Sequence, residues 1–264
     1  MKKLILILIL VICVSCKDNN KGKLNFADNE VVAHRGAFKA NKLPENSIAS
    51  LKHAIELGCV GSEFDVYMTA DSILVVNHDS EYHEMVIENN KYTTLNEKKL
   101  SNGEDLPTLK AYLQAGMENN MTTGLVCELK LASSKERALA IAKKTLDLVD
   151  ELGAANYISS YISFDYNILK GLLAIDPKLH TQYLNGEKSP IELKADGIAG
   201  LDYKFKIFKN NPNWITEAKN LGLTLNSWTV NKKEDLIFLL NNEFDFITTN
   251  ELELLFSILE ERKK

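Results

Sequence analysis

Cysteine is scarce in this chain, and its scarcity narrows the chemistry. Of four in 264 residues, Cys13 and Cys16 fall in an N-terminal apolar segment, which leaves Cys59 and Cys127, each in or beside a strand-like run. No Cys-x-x-Cys pair and no Cys/His zinc spacing occurs. This argues against a redox motif or a structural zinc, and buried free thiols are expected at Cys59 and Cys127. Positive charge is not in surplus either. The formal net charge is −5, and setting residues 1–15 aside removes Lys2 and Lys3 and makes it more negative. Such a chain has no general attraction for nucleic acid or anionic headgroups, so an anionic substrate must be held by a metal or by a few placed cations. Glycine-rich phosphate or dinucleotide turns are missing, as are internal repeats and low-complexity tracts.

No apolar run is long enough to span a bilayer. Leu4 to Val14 falls well short of the roughly 20 residues required, and with Lys2 and Lys3 before it the segment reads as an export signal. It ends in Val14-Ser15-Cys16 and is followed by the polar stretch Lys17–Lys23. A small residue before a cysteine, straight after an apolar run, is similar to a bacterial lipoprotein signal. That likeness implies cleavage before Cys16, a lipid on its thiol and an exported protein anchored to the bacterial cell envelope. Residues 1–15 are thus read as a signal peptide, 16–26 as a solvated tether and 27–264 as the folded domain.

What is present is an alternation. Strand-like runs are expected at Glu30–His34, Val60–Tyr67, Gly124–Leu129, Tyr157–Ser163, His180–Leu184, Gly197–Asp202, Thr224–Trp228 and Phe244–Thr248. Between them lie amphipathic stretches such as Ser47–Leu57, Ser134–Leu152 and Lys232–Leu240, and Glu251–Arg262 closes the chain as a final helix. With apolar residues at 45% a sizeable core is available, and eight such βα repeats predict a (β/α)8 TIM barrel in preference to an open doubly wound sheet. One segment breaks the rhythm: Ser72–Val76 reads as an extra extended run, and residues 79–106 as a polar, irregular insertion in the second βα connection.

The chemistry gathers at the strand ends, which a barrel brings to one rim. His34 and Arg35 close the first strand, Glu63 and Asp65 the second, Glu128 and Lys130 the third, and Trp228 the seventh. Glu63 and Asp65 are two apart, so in a strand both leave the same face, and they interrupt an otherwise apolar run. Three acids on adjacent strand ends repel one another unless a cation sits among them, and hard oxygen donors suit Mg²⁺ or Ca²⁺ better than zinc. Arg35 and Lys130 would then hold phosphate oxygens, with imidazoles available from His34 and His78. These are the parts that phosphodiester cleavage requires.

In order, the chain carries His34-Arg35-Gly36, Pro44-Glu45-Asn46, Glu63-Phe64-Asp65, His78-Asp79, Glu128-Leu129-Lys130 and Trp228-Thr229-Val230-Asn231. This series resembles the glycerophosphodiester phosphodiesterase family, with its HRG, PEN, ExD, HD, ExK and WTxN pattern on a barrel. Leu106–Leu109 and Phe246–Asn250 extend the likeness to residues 30–255. The resemblance implies Glu63, Asp65 and Glu128 as metal ligands, His34 and His78 as the acid–base pair, and Arg35 and Lys130 as phosphate-binding residues. Glu45 would support them by orienting His34 or the metal, and Trp228 would line the substrate mouth. Two departures, Ser72 for glycine and Asn250 for aspartate, are expected to lie away from the ligands.

The reaction implied is metal-assisted hydrolysis of a glycerophosphodiester to sn-glycerol 3-phosphate and an alcohol, with a small-molecule phosphodiester as partner and no nucleic acid. A phospholipase D-like activity on lysolipids or sphingolipids is the alternative, and a catalytically silent lipid-anchored binding protein a more distant one. The insertion offers Tyr82, Met85, Val86, Ile87 and Tyr92 but no long apolar run, which favours soluble diesters. His53, His83, His180 and Trp214 are expected outside the chemistry. Oligomeric state leaves no mark in the sequence.

Overall fold

The computed structural model describes residues 25–263. The expected signal, the polar stretch after it and Cys16 lie outside these residues. In chain order the strands and helices are β1 (Val31–Ala33), α1 (Ile48–Glu56), β2 (Gly61–Met68), β3 (Leu74–Val76), β4 (Glu81–Tyr82), β5 (Met85–Val86), α2 (Tyr92–Leu95), α3 (Leu109–Met117), β6 (Gly124–Leu129), α4 (Lys135–Leu152), β7 (Ile158–Ser163), α5 (Tyr166–Ile175), β8 (Thr181–Tyr183), α6 (Pro190–Ala195), β9 (Gly200–Lys204), α7 (Phe205–Asn210), α8 (Asn213–Asn220), β10 (Thr224–Trp228), α9 (Lys233–Asn241), β11 (Phe246–Thr249) and α10 (Leu252–Arg262).

Eight of these strands, all parallel, run in the order β1-β11-β10-β9-β8-β7-β6-β2, and β1 pairs with β2 to close the ring. The fold is a (β/α)8 barrel, as the alternation predicts. β3 adds an antiparallel edge to the outer end of β2. Local chemistry starts and stops the helices where the sequence signals it. Ser47, Thr108 and Ser134 accept from backbone N–H groups one turn in, Ser189 and Glu192 form a capping box ahead of α6, and Gly153 closes α4 in the left-handed region. Along α4 the buried positions Ala138, Ile141, Ala142, Thr145 and Val149 form one stripe against the barrel.

Alternation along each strand sorts its residues. Phe64, Val66, Leu125, Cys127, Leu201 and Tyr203 face outward into the main core beneath the helices. Val32, Val126, Ile162 and Leu184 face inward and fill the barrel as a small separate cluster. Cys59 and Cys127 are buried free thiols, as expected. No helix among the described residues is long and apolar enough to cross a membrane.

The insertion corrects the expectation of an irregular polar loop. It contains the hairpin β4–β5, a short 3-10 turn and α2, and it closes over its own core of Tyr82, Ile87, Leu95 and Leu106, with Val75 of β3. Its apolar residues follow no single period because hairpin, turn and helix each supply only one or two of them. Glu104 from this segment accepts from the N–H groups of Ile48 (2.9 Å) and Ala49 (3.2 Å), placing a carboxylate at the positive end of α1. The chain enters at the opposite end of the barrel. There Ala27 N–H donates to Thr122, and Asn29 bridges Gly58, Val31 and Val60 at the N-terminal ends of the strands.

Candidate active site

At the C-terminal mouth the expected residues converge around a cavity of about 130 Å³ whose lining includes His34, Arg35, Glu63, His78, Glu128, Lys130 and Trp228. Backbone geometry at the end of β1 starts the assembly. Arg35 adopts φ 56°, a left-handed conformation costly for a side chain of its size. That turn aims its N–H at Glu63 Oε2 (2.8 Å). Gly36 follows at φ +78°, and a Cβ there would come within 2.7 Å of the Ser50 carbonyl carbon, so only glycine fits.

Glu63 and Asp65 leave the inner face of β2, and Glu128 sits beside Asp65 on β6. Oxygens of all three lie within 4.8 Å of one another, and all three residues are buried. Burial first, then the charges of Asp65 and Glu128, raises Glu63 well above the usual carboxylate range. Burial and the Asp65 charge push Glu128 up to about 7. Asp65 goes the other way: burial would raise it, but the Lys130 ammonium and a hydrogen bond from Asn46 outweigh that and hold it low. Lys130 Nζ lies 3.0 Å from Asp65 Oδ1 and 2.8 Å from Glu128 Oε1, and Arg35 Nε lies 3.7 Å from Asp65 Oδ2.

These residues suit a divalent cation. Glu45, Asp65 and Glu128 pair with the two cationic side chains Arg35 and Lys130, while Glu63 and Asp202, in the same cavity, pair with neither. Glu63 Oε1 is buried with no hydrogen-bond partner among the described residues. An acceptor-rich, oxygen-only set with an orphaned carboxylate oxygen is what a hard dication satisfies.

The imidazoles are held differently. His34 Nδ1 lies 2.8 Å from Asn250 Oδ1, so it donates there and leaves Nε2 as the acceptor. Burial, helped by the Arg35 charge, lowers the His34 pKa to about 4. His78 is more open, and its Nδ1 lies 2.8 Å from Asp79 Oδ1. Asn250, expected away from the ligands, hydrogen-bonds none of the three acids but does touch the site through His34: β11 pairs with β1, and its end returns beside that imidazole.

Glu45 orients neither His34 nor the acids. It clasps Arg35 Nη1 through both oxygens, at 3.0 and 2.9 Å, from a half-exposed position. Its neighbour Asn46 makes the deeper contact, donating to Asp65 Oδ2 (2.8 Å) and accepting from the Asp65 N–H (3.2 Å). Trp228 stands across the mouth with Nε1 donating to the Asp202 carbonyl (2.8 Å) and its ring edge-on to Phe164. None of the insertion's aromatic residues lines the cavity, because Tyr82 is buried in the insertion's core and Tyr92 packs against it.

A profile of the glycerophosphoryl diester phosphodiesterase family matches residues 34–254. The chain belongs to that family. As a member of it, this barrel is a phosphoric diester hydrolase that acts on glycerophosphodiesters. A glycerophosphodiester phosphodiesterase from Caldanaerobacter subterraneus subsp. tengcongensis is 29% identical over 247 residues, covering 87% of this chain and 97% of the relative. The crystal structure of a glycerophosphodiester phosphodiesterase from Parabacteroides distasonis is 40% identical, with a TM-score of 0.86 over 92% of this chain and 100% of that one. An Oleispira antarctica phosphodiesterase, solved with the product sn-glycerol-3-phosphate, shares the fold at 20% identity and a TM-score of 0.73, covering 88% of this chain and 97% of that one.

Two further groups at this glycerophosphodiesterase site went unnoticed in the sequence. Asn46 sits in a motif whose glutamate alone attracted a role. Asp202, on the inner face of β9, is 1% exposed and lines the cavity. Burial raises its pKa well above the carboxylate range, and the Glu128 charge adds to this. Its signal was an acid between Leu201 and Tyr203 in a buried strand, the same interruption that marks Glu63 and Asp65.

Proposed function

We propose that this site cleaves glycerophosphodiesters to sn-glycerol 3-phosphate and an alcohol with His34 as general base and His78 as general acid. The convergence of two imidazoles and three acids on one cavity carries this reading. A Mg²⁺ or Ca²⁺ ion held by Glu63, Asp65 and Glu128 would polarise the phosphoryl oxygens and offset their developing charge. Arg35, braced by Glu45, presents its guanidinium to the phosphate, and Lys130 adds a point charge from the β6 side. His34, neutral around pH 7 and with Nε2 free, takes the proton of the attacking hydroxyl, which is either water's or the glyceryl group's own. His78, at the open side with Asp79 on its other nitrogen, gives a proton to the departing alkoxide.

The end of the barrel at which Ala27 and Asn29 dock supports soluble diesters over lysolipids or sphingolipids. The chain enters on the face where Ala27 and Asn29 dock, at the N-terminal ends of the strands, and the mouth opens at the opposite end. A lipid on Cys16 would anchor the protein to the cell envelope by that far face, with the mouth turned to the aqueous phase. Loss of fatty-acid incorporation in Cys16→Ala is the expected result; labelling that survives the substitution rejects the anchor.

A panel of glycerophosphocholine, glycerophosphoethanolamine, glycerophosphoglycerol and lysophosphatidylcholine, assayed with Mg²⁺, Ca²⁺ or a chelator, tests the reaction. Turnover is expected on the first three, with equal release of sn-glycerol 3-phosphate and alcohol, and none after chelation. Preferential turnover of the lysolipid, or full activity with the chelator present, rejects the assignment.

A further inference from the structure

Asp202 has no part in the reaction described above, yet its carboxyl group is buried inside the barrel. Both Oδ atoms are enclosed and neither has a hydrogen-bond partner among the described residues. The nearest polar side chain in register, Asn226, gives one amide N–H to Thr248 Oγ1 at 3.1 Å and has only its second to turn toward Asp202, which leaves at least one carboxyl oxygen without a donor. An unsatisfied buried carboxyl is retained at a cost to stability, which points to a partner that arrives with the substrate.

Barrel topology says which part of the substrate that is. β9 is the fourth strand from β2 in either direction around the ring, so Asp202 projects into the cavity from directly across Glu63 and Asp65. A phosphate held between Arg35, Lys130 and the acids must extend one ester arm toward that wall and the other toward the open side, where His78 lies. The variable alcohol needs the open side to leave. The constant arm, whose hydroxyls can be matched by fixed groups, takes the buried wall. Trp228 shapes that wall: its indole N–H is tied to the Asp202 carbonyl and its ring is braced edge-on by Phe164, at 5.3 Å between centroids.

We propose that Asp202 reads the glyceryl arm, its carboxyl accepting a hydroxyl hydrogen of that arm and so selecting glyceryl esters over phosphodiesters that lack the hydroxyl. Ionised or protonated, the group offers an oxygen lone pair to an O–H donor. The proposal rests on the glycerophosphodiester reading above and names the residue that makes it specific.

Calorimetric titration of the cation-loaded protein with sn-glycerol 3-phosphate and with 2-hydroxyethyl phosphate, which lacks one hydroxyl, tests it without depending on turnover. Wild type is expected to prefer the first by roughly 10–100-fold, the range set by one buried hydrogen bond. Asp202→Leu should bring the two affinities within about threefold while 2-hydroxyethyl phosphate binds as before. Asp202→Asn, isosteric and still an acceptor, should keep part of the preference and settles the matter if the leucine variant does not fold. An unchanged ratio in both variants overturns the proposal. So does a loss of Mg²⁺ or Ca²⁺ affinity in Asp202→Asn, which would make Asp202 a member of the cation site. A preference in wild type that Asp202→Leu abolishes, in a protein that turns over no glycerophosphodiester, would leave this residue's role standing and remove the reaction.

Discussion

Glu63→Gln is expected to reduce hydrolysis of any glycerophosphodiester to the level of the blank and to remove the cation with it. The side chain has two tasks and two oxygens: Oε2 accepts the Arg35 N–H at 2.8 Å, and Oε1 is the buried orphan that faces the other acids. An amide has one oxygen. If it keeps Arg35 in its left-handed turn, its NH₂ points at the place a cation would occupy; if it turns, the Arg35 N–H is left unpaired. Calorimetry should show Mg²⁺ or Ca²⁺ affinity falling by more than about 100-fold, beyond the loss typical of a supporting residue. Thermal melts give an independent reading. At a cation concentration of about 100 Kd, wild type should gain roughly 2.7 kcal/mol and hence some 5–10 °C. The variant should gain nothing, yet lie close to wild type without cation, because burial and the neighbouring acids already favour a neutral Glu63 there and the amide is its neutral isostere. Unchanged cation affinity in this variant would remove Glu63 from the ligand set.

How much of this site is visible in the sequence depends on whether a contact follows from spacing along one strand or from closure of the ring. Glu63 and Asp65 share a face because they are two apart in β2, and Glu128 joins them because β6 is the next strand to lie beside it. Those relations can be read from residue order once a barrel is expected. Asn250 beside His34 cannot, since the contact spans 216 positions and exists only because β11 pairs with β1. That Glu45 supports the site through Arg35 is hidden for a local reason. The left-handed turn at Arg35 swings the guanidinium back toward the following loop, and no pattern of residue types announces a positive φ at an arginine. Asp202 was passed over because a single acid in a short strand has no partner in the sequence to give it meaning. The strand itself shows how boundaries slip: it was expected from Gly197, but Gly197 at φ +77° ends the preceding turn and β9 begins at Gly200.

His34 and His78 should fail in different ways. Replacing either with alanine is expected to lower turnover of glycerophosphodiesters by roughly 10²–10⁴-fold, the range for a positioned proton-transfer group. A leaving group that needs no proton separates them. On glyceryl 4-nitrophenyl phosphate, His78→Ala should recover most of its loss, because 4-nitrophenolate departs unaided, while His34→Ala should stay as impaired as before. Equal recovery in both variants would reverse or void the assignment. Asn250 supplies the complementary test through pH. In the wild type, burial and Arg35 hold the His34 pKa at about 4, below the ordinary 6.5, so the imidazole stays neutral and able to accept a proton well into the acidic range. Asn250→Asp would put a carboxylate where a neutral amide oxygen now lies 2.8 Å from Nδ1. A negative charge there favours the imidazolium, so the pKa must rise, and a base that is protonated at higher pH loses activity at higher pH. The acidic limb of kcat/KM should therefore move upward by at least about one pH unit in Asn250→Asp, with the plateau at high pH less affected. If the limb stays where it is while the variant folds and binds cation normally, the group titrating there is not His34, and the base must be sought elsewhere at the mouth.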